Sequence, residues 1–481
     1  MERIGGMDGA FLALETDTMH LHVAAVLVCD PAASGDGHDL PPLHFDRLRA
    51  LVDERIHLVP PFRRRLVRVP FGLHHPVAVD DPNFALEHHV HRASLPAPGG
   101  PGELGAFVAD VVGRPLDQHA PLWEMHLVEG LESGYVALVP KVHHALFDGA
   151  SGAEVIASFL DAGPIPRVVV PPARPWRPQA VPTEAELVGS ALSALARQPE
   201  RAAGALRRTF GAVRDLAERN RRLREEDGIA PPPAPFRAPR TSVNGAISPH
   251  RRFAFAQVPM DELRSVRRAF GGTLNDVVLA AVAGALRRLL AERGERPHDP
   301  LVAMVPMSLR DPSDRGTLGN RVSAMLVSLA TTVSDPVERY TTIAAGTRLA
   351  KDQARVLSED LIRGWAQLAF PALSSRLARL AGNLRVFDHV PPLFNVLVSN
   401  VVGPTVPLWC AGARLVGLYP VGPLIEGVGL NVTVASYEDT LYVGILGCRE
   451  LVPEVVHFGD HLGDAFAELV KASVRNGGHW A

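Results

Sequence analysis

Hydrophobic positions along the chain fall into short runs whose spacing alternates between strand and helix periods. Met19–Cys29 (MHLHVAAVLVC) is an apolar run closed by Asp30-Pro31 and predicts a strand. Phe45–Ile56 places Leu48, Leu51 and Ile56 on one face and predicts a helix. Leu66–Val79 and Phe84–His91 predict strands, and Leu104–Val112 a helix. Trp123–Val128 and Tyr135–His143 predict paired strands around a Glu-Ser-Gly turn, and Ala153–Leu160 a helix after a loop. The pattern resumes with a strand at Phe253–Val258 and a helix at Met260–Phe270 that ends at Gly271-Gly272. Thr273 is a candidate cap for a helix over Leu274–Leu290. Leu301–Pro306, Arg321–Leu329, Phe394–Val398, Ala413–Tyr419, Gly429–Ser436 and Thr440–Leu446 predict strands; Pro336–Leu357 and Val455–Ser473 predict helices. Strands and helices mix without regular alternation or a fixed-period repeat, so the expected class is α+β.

The 481 residues are enough for two or three domains. The expected boundaries are a first domain over 1–165, a crossover over 166–250 and a second domain over 251–481. The crossover is marked by Pro-rich flanks, Pro164–Pro182 and Ile229–Pro239, around a helix-forming insert over Thr183–Glu226. Between Arg197 and Arg224 arginines outnumber acids, with Leu206, Phe210, Val213, Leu216 and Leu223 near one helix face. That pattern fits a helix packed on the protein with a solvated basic face. It also fits a contact with a membrane surface or an anionic ligand.

Composition narrows the classes of function. The net charge of −3 argues against a nucleic-acid binder driven by global charge. Of 49 basic residues only Lys141, Lys351 and Lys471 are lysine, which reads as the codon bias of a GC-rich bacterial genome. Cys29, Cys410 and Cys448 show no CxxC spacing, so neither a disulfide framework nor a cysteine zinc site is expected. The N-terminal MERIGGMDGAF lacks an apolar h-region and is expected to be mature sequence. No run of 18 apolar residues predicts a transmembrane helix, and the expected location is cytoplasmic.

The segment richest in chemistry is Val139–Gly152, VPKVHHALFDGASG. A β-rich run ends in His143-His144, followed after three residues by Asp148-Gly149. Neighbouring strand side chains face opposite ways, so only one histidine is expected to face a cleft. The other would support or pack. An imidazole titrates near working pH and suits deprotonation of an alcohol that attacks an acyl carbonyl. Asp148 follows a short turn and is placed to brace the loop or an imidazole. Gly149 and Gly152 permit a tight turn and close approach of a ligand. No GxSxG elbow, P-loop or strand-following GxGxxG is present. Metal ligation by His143, His144 and Asp148 is disfavoured because adjacent strand histidines diverge. His20 and His22, spaced to share a strand face, are a minor metal candidate. That pair, His74-His75 and His88-His89/His91 are expected mainly to pack or lie at the surface.

His143–Gly149 matches HHxxxDG, the motif of the CoA-dependent acyltransferase and condensation-domain superfamily. The flanks are closer still to the bacterial wax ester synthase/acyl-CoA:diacylglycerol acyltransferase family. They include MDGAFLALET near the start, PLWEMHLVEGL at Pro121–Leu131, NGAISPHRRFAF at Asn244–Phe255 and TLNDVVLAAVAGALR at Thr273–Arg287. VPMSLR at Val305–Arg310, LGNR at Leu318–Arg321, SNVVGP at Ser399–Pro404 and GLNVTVASY at Gly429–Tyr437 complete the set. The chain therefore resembles that family across nearly its full length. Val402 departs from the family's SNVPGP, which bears on a turn and not on the histidines.

The resemblance implies two chloramphenicol-acetyltransferase-like domains with an active-site tunnel between them. Acyl-CoA would enter on one side, and diacylglycerol or a long-chain alcohol on the other. His144 would be the general base, His143 and Asp148 would hold the motif, and Gly149 would shape its loop. No covalent acyl-enzyme, metal or cofactor is expected, acyl-CoA being a substrate. Asn275, Asp276, Ser399 and Asn400 are candidates for substrate binding or framework roles. Association with the inner membrane face or lipid inclusions is expected, and nucleic acid is not. Alternatives are a polyketide-associated acyltransferase or a condensation-type enzyme of the same superfamily, and a lipid-binding protein that has lost activity.

Overall fold

A computed structural model describes residues 2–4, 6–32, 43–146, 149–174, 176–195, 232–308, 322–356 and 386–477, with short stretches between 211 and 225 and at 380. In chain order the first half forms β1 (Glu2–Arg3), α1 (Gly6–Leu14), β2 (His22–Asp30), α2 (Phe45–Arg55), β3 (Arg64–Val67) and β4 (Val77–Asp80). These are followed by β5 (Val90–Ser94), α3 (Pro101–Gly113), β6 (Trp123–Glu129), β7 (Val136–His143), α4 (Gly149–Ser158) and α5 (Glu184–Leu195). The second half forms β8 (Arg251–Pro259), α6 (Met260–Phe270), α7 (Leu274–Glu292), β9 (Val302–Ser308), β10 (Val322–Ser328) and α8 (Pro336–Val356). It closes with β11 (Val396–Val401), β12 (Trp409–Cys410), β13 (Ala413–Val421), β14 (Leu430–Tyr437), β15 (Thr440–Cys448) and α9 (Val455–Gly477).

Two six-stranded mixed sheets organise the molecule, in the orders β12-β13-β2-β7-β6-β5 and β10-β9-β11-β14-β15-β8. A small sheet, β1-β4-β3, stands beside the first. The fold is α+β, as the mixed pattern predicts. Leu66–Val79 is not one strand. Pro70 opens a turn in which Phe71 and Gly72 take φ of 60° and 62°, and the chain returns as the β3–β4 hairpin. Phe84–His91 is likewise broken by a tight turn at Leu86–His88, and the strand begins at Val90.

The apolar run in α7 is continuous because the helix is surrounded. Val277–Leu286 lies almost wholly inside the core formed by α6, α8, α9 and the second sheet. Thr273 and Asp276 cap its start reciprocally, the Thr273 hydroxyl accepting from the Asp276 N–H while Asp276 accepts from the Thr273 N–H at 2.7 Å. Among the described residues no single helix is long and apolar enough to cross a membrane. The pair α6 and α7 passes by length and composition but bends by 98° between them.

The sheets meet where β13, late in the chain, pairs with β2 and crosses β15 of the other sheet. A side chain at Gly444 would stand 1.8 Å from the Pro420 carbonyl oxygen, so this crossing needs glycine. Tyr419 packs its ring edge-on against Phe255 and Tyr442 and donates its hydroxyl to Gln257 Oε1 at 3.2 Å. On the far side of the first sheet, the buried Arg55 guanidinium grips Asp161 through two bonds of 2.9 and 3.0 Å, tying α2 to the segment after α4.

Candidate active site

The His-His segment lies where β7 runs out, and the backbone N–H groups of residues 143–146 are all engaged. His143 N–H donates to Leu122 O at 3.0 Å, and His144 N–H to Leu21 O at 2.8 Å. Leu146 N–H closes a turn onto His143 O at 3.0 Å. Ala145 N–H donates to His143 Nδ1 at 3.0 Å. The imidazole of His143 is thus part of the turn that presents its neighbour.

The two rings lie in different surroundings. His143 is 1% exposed and meets His22 edge-on across the β2–β7 pair, with centroids 5.4 Å apart. His144 is half-buried and stacks on Phe11 of α1 at 4.4 Å. That stacking restrains the ring without removing it from solvent reach. Asp148 lies outside the described residues. Gly149 is the first residue of α4.

A residue that sequence reading did not single out sits beneath the pair. Glu15, directly after α1, places its carboxylate 3.6 Å from His143 Nε2, 3.4 Å from His22 Nε2 and 3.8 Å from His20 Nδ1. Gln118 donates to the same carboxylate at 2.5 Å, and Arg68 donates to Gln118. Burial alone would raise the Glu15 pKa. The His143 and His22 rings outweigh burial and hold the carboxyl well below its ordinary range. Burial pushes His22 down to about 3 and also lowers His20. At neutral pH the Glu15 carboxylate therefore stands against neutral His20 and His22 rings. The only trace of it in the sequence is an acid at the end of the apolar GAFLALE run, followed by the His20/His22 pair.

Glu15, His22 and His143 have potential ligand atoms within 4.8 Å of one another. The ring chemistry does not suit a metal. Nδ1 of His143 accepts the Ala145 N–H, so the proton of the neutral ring sits on Nε2. A metal would need the Nε2 lone pair. That nitrogen instead presents its N–H toward Glu15.

A cavity of about 620 Å³ opens beside this cluster, lined by Glu15, His20, Gln118 and Arg68 among others. It reaches the Glu15 side of the cluster and not the His144 ring. The remaining sequence candidates fall into two places. Asn275 and Asp276 stand at the start of α7, where Asp276 is committed to the cap. Among the described residues Asn275 Oδ1 is buried without a hydrogen-bond partner. Ser399 and Asn400 lie in β11, in parallel register with Thr433 and Val434 of β14. No described hydrogen bond joins these four to the histidine pair. The SNVVGP turn is held from below: Gly403 N–H donates to Ser436 Oγ at 3.2 Å, and a side chain on Gly403 would strike Ser436 O at 2.1 Å. Val402 is 85% exposed and makes the departure from proline a surface one.

The wax ester synthase/diacylglycerol acyltransferase catalytic domain model matches residues 4–278, and the family's C-terminal domain model matches residues 318–470. A Mycobacterium tuberculosis H37Rv protein, provisionally named a diacylglycerol O-acyltransferase, is 36% identical over 474 residues, covering 98% of this chain and 91% of its own. Another from the same strain is 34% identical over 503 residues, covering 98% and 97%. Among solved structures, the wax ester synthase/diacylglycerol acyltransferase of Marinobacter aquaeolei VT8 superposes with a TM-score of 0.65 at 29% identity, covering 98% of this chain and 99% of that one. The first condensation domain of the calcium-dependent antibiotic synthetase superposes at 0.55 with 17% identity, covering 98% and 96%, which shows a shared chloramphenicol-acetyltransferase-like fold and no more. With both family domains matched and relatives aligned over almost the whole length, this chain belongs to the wax ester synthase/diacylglycerol acyltransferase family and is an acyltransferase of that family.

Proposed function

We propose that the protein moves a long-chain fatty acyl group from acyl-CoA to the hydroxyl of diacylglycerol, of a long-chain alcohol, or of both. His144 acts as the general base. Its imidazole takes the hydroxyl proton as the oxygen attacks the thioester carbonyl. The tetrahedral intermediate collapses to the ester, and the CoA thiolate leaves with the proton returned by the imidazolium. No acyl-enzyme forms. His143 and Asp148 hold the motif, with Gly149 in its loop. The acceptor and acyl-CoA approach through a tunnel between the two halves, near which Asn275, Ser399 and Asn400 serve binding or framework roles.

The observation that supports this reading is the split between the two rings. His143 is turned inward, with Nδ1 bonded to the Ala145 N–H and Nε2 toward Glu15. His144 is the half-buried ring of the pair. The test is CoA release and product analysis with labelled acyl-CoA and three acceptors: diacylglycerol, hexadecanol and an amine. Ester formed with either alcohol supports the reading. Amide as the main product would replace it with condensation chemistry, and acyl-CoA binding without CoA release would replace it with a lipid carrier.

The oily substrates also call for a membrane or lipid-inclusion surface. The Arg-rich crossover is the proposed contact, and most of it lies outside the described residues. Neutralising Arg207, Arg208, Arg221 and Arg222 together should weaken binding to anionic vesicles. Unchanged binding would return the crossover to a solvated helix.

A further inference from the structure

A second carboxylate-and-histidine cluster lies away from the His-His turn, on the helical side of the second sheet. Glu292 is the last residue of α7. His457 and His461 stand one turn apart near the start of α9 and project from the same helix face. Their Nε2 atoms converge on one oxygen, Glu292 Oε2, at 3.2 and 3.1 Å. The rings lie 4.2 Å apart.

We infer that Glu292, His457 and His461 form a site for a divalent first-row transition ion, with Zn²⁺ the best fit. Two imidazole nitrogens and a carboxylate oxygen are a borderline ligand set suited to zinc and poor for Mg²⁺ or Ca²⁺. Bonds of about 2.0–2.1 Å to one ion set neighbouring ligand atoms about 2.8–3.4 Å apart, from right-angle to tetrahedral geometry. Both nitrogen-to-oxygen separations fall in that range.

Without an ion His461 Nε2 donates to Glu292 at 3.1 Å, and a metal would take that proton's place. His457 Nδ1 faces Asp460 Oδ2 at 3.7 Å. A proton kept on Nδ1 leaves the Nε2 lone pair for the metal, the usual carboxylate–histidine–metal arrangement. This is the reverse of His143, whose Nδ1 is occupied as an acceptor.

Charge and access permit an ion. The neighbouring guanidiniums have their own carboxylates: Arg288 pairs with Glu468 at 2.5 Å while also donating to the His461 carbonyl at 3.2 Å, and Arg293 pairs with Glu454 at 2.8 Å. Glu292 and His457 are about half exposed, at 50% and 52%, while His461 is buried. An ion can enter from solvent and keep a water as its fourth ligand. Bound there, it fastens the end of α7 to the start of α9.

The test is titration of Zn²⁺ into metal-stripped, untagged full-length protein by calorimetry, with Co²⁺ followed through its visible absorption. The expected result is a single ion per chain and Co²⁺ bands of tetrahedral type. His457→Ala and His461→Ala should each weaken binding about 100-fold or more, and Glu292→Gln and Asp460→Asn about tenfold. Circular dichroism should show every variant folded. Failure of the folded parent chain to bind stoichiometrically overturns the site. So does zinc binding by His457→Ala or Glu292→Gln as tight as by the parent. None of these readouts uses acyl transfer, so the site stands or falls separately from the proposed reaction.

Discussion

Two places in this protein set one carboxylate against histidines, and their surroundings give them opposite chemistry. Around Glu15 the partners His20, His22 and His143 are buried, and burial holds the His20 and His22 rings neutral. His143 Nδ1 is taken by a backbone N–H, which leaves an N–H and no lone pair toward the carboxylate. Around Glu292 the cluster is open to water on one side, and Asp460 faces the far nitrogen of His457. Residue type is the same in both. What differs is what faces each Nδ1 and whether solvent can reach the cluster. The inner cluster can brace a turn; the outer one can hold an ion.

The comparison can be broken most severely at the ring that the inner cluster presents. His144→Ala should lower ester formation by about two or more orders of magnitude, the scale of a general base. Near-parental turnover by a folded variant would detach the cluster from catalysis. Next in size is Glu15→Leu, which leaves the facing imidazole and Gln118 donors without their acceptor. It should cost about 1–3 kcal/mol in chemical denaturation. Equal stability would mean that the inner carboxylate braces nothing.

The third consequence concerns acid. His22 has a folded pKa of about 3 against an ordinary 6.5, so the unfolded chain binds the extra proton between those values. Stability is therefore lost as pH falls through that window, by up to about 1.4 kcal/mol per pH unit. The depressed Glu15 carboxyl acts in the same direction once pH falls below its ordinary 4.5. The urea midpoint of the parent chain should drop more between about pH 7 and pH 5 than that of His22→Gln. Parallel curves would show that His22 is not held neutral. The smallest effect belongs to the outer cluster. Without zinc, His457→Ala should change stability by about 0.5 kcal/mol or less, as for an exposed side chain. A larger loss would give that cluster a structural role of its own.

Much of the fold was legible because it rests on local periodicity. Met260–Phe270 and the Thr273 cap emerge where the pattern places them, since a glycine stop and a capping box act within a few residues. The β3–β4 hairpin was not legible. A turn with positive φ at Phe71 is invisible to an alternation rule that sees only apolar spacing. The motif pair His143-His144 was legible as chemistry because neighbouring strand residues must diverge. Glu15 was not, since it meets His143 from across the fold, 128 positions away in the chain.

The sequence by itself determined the class of fold, the family and the two histidines on which the proposed chemistry turns. These are properties of short windows and of their order along the chain. Only the tertiary structure decided which partners those histidines have. It carried β13 back to pair with β2, set Glu15 beneath the His143 turn, and brought α7 and α9 together so that Glu292 meets His457 and His461. A hydrogen bond or a shared ligand depends on distances of a few ångströms between residues far apart in sequence, and packing alone sets those distances.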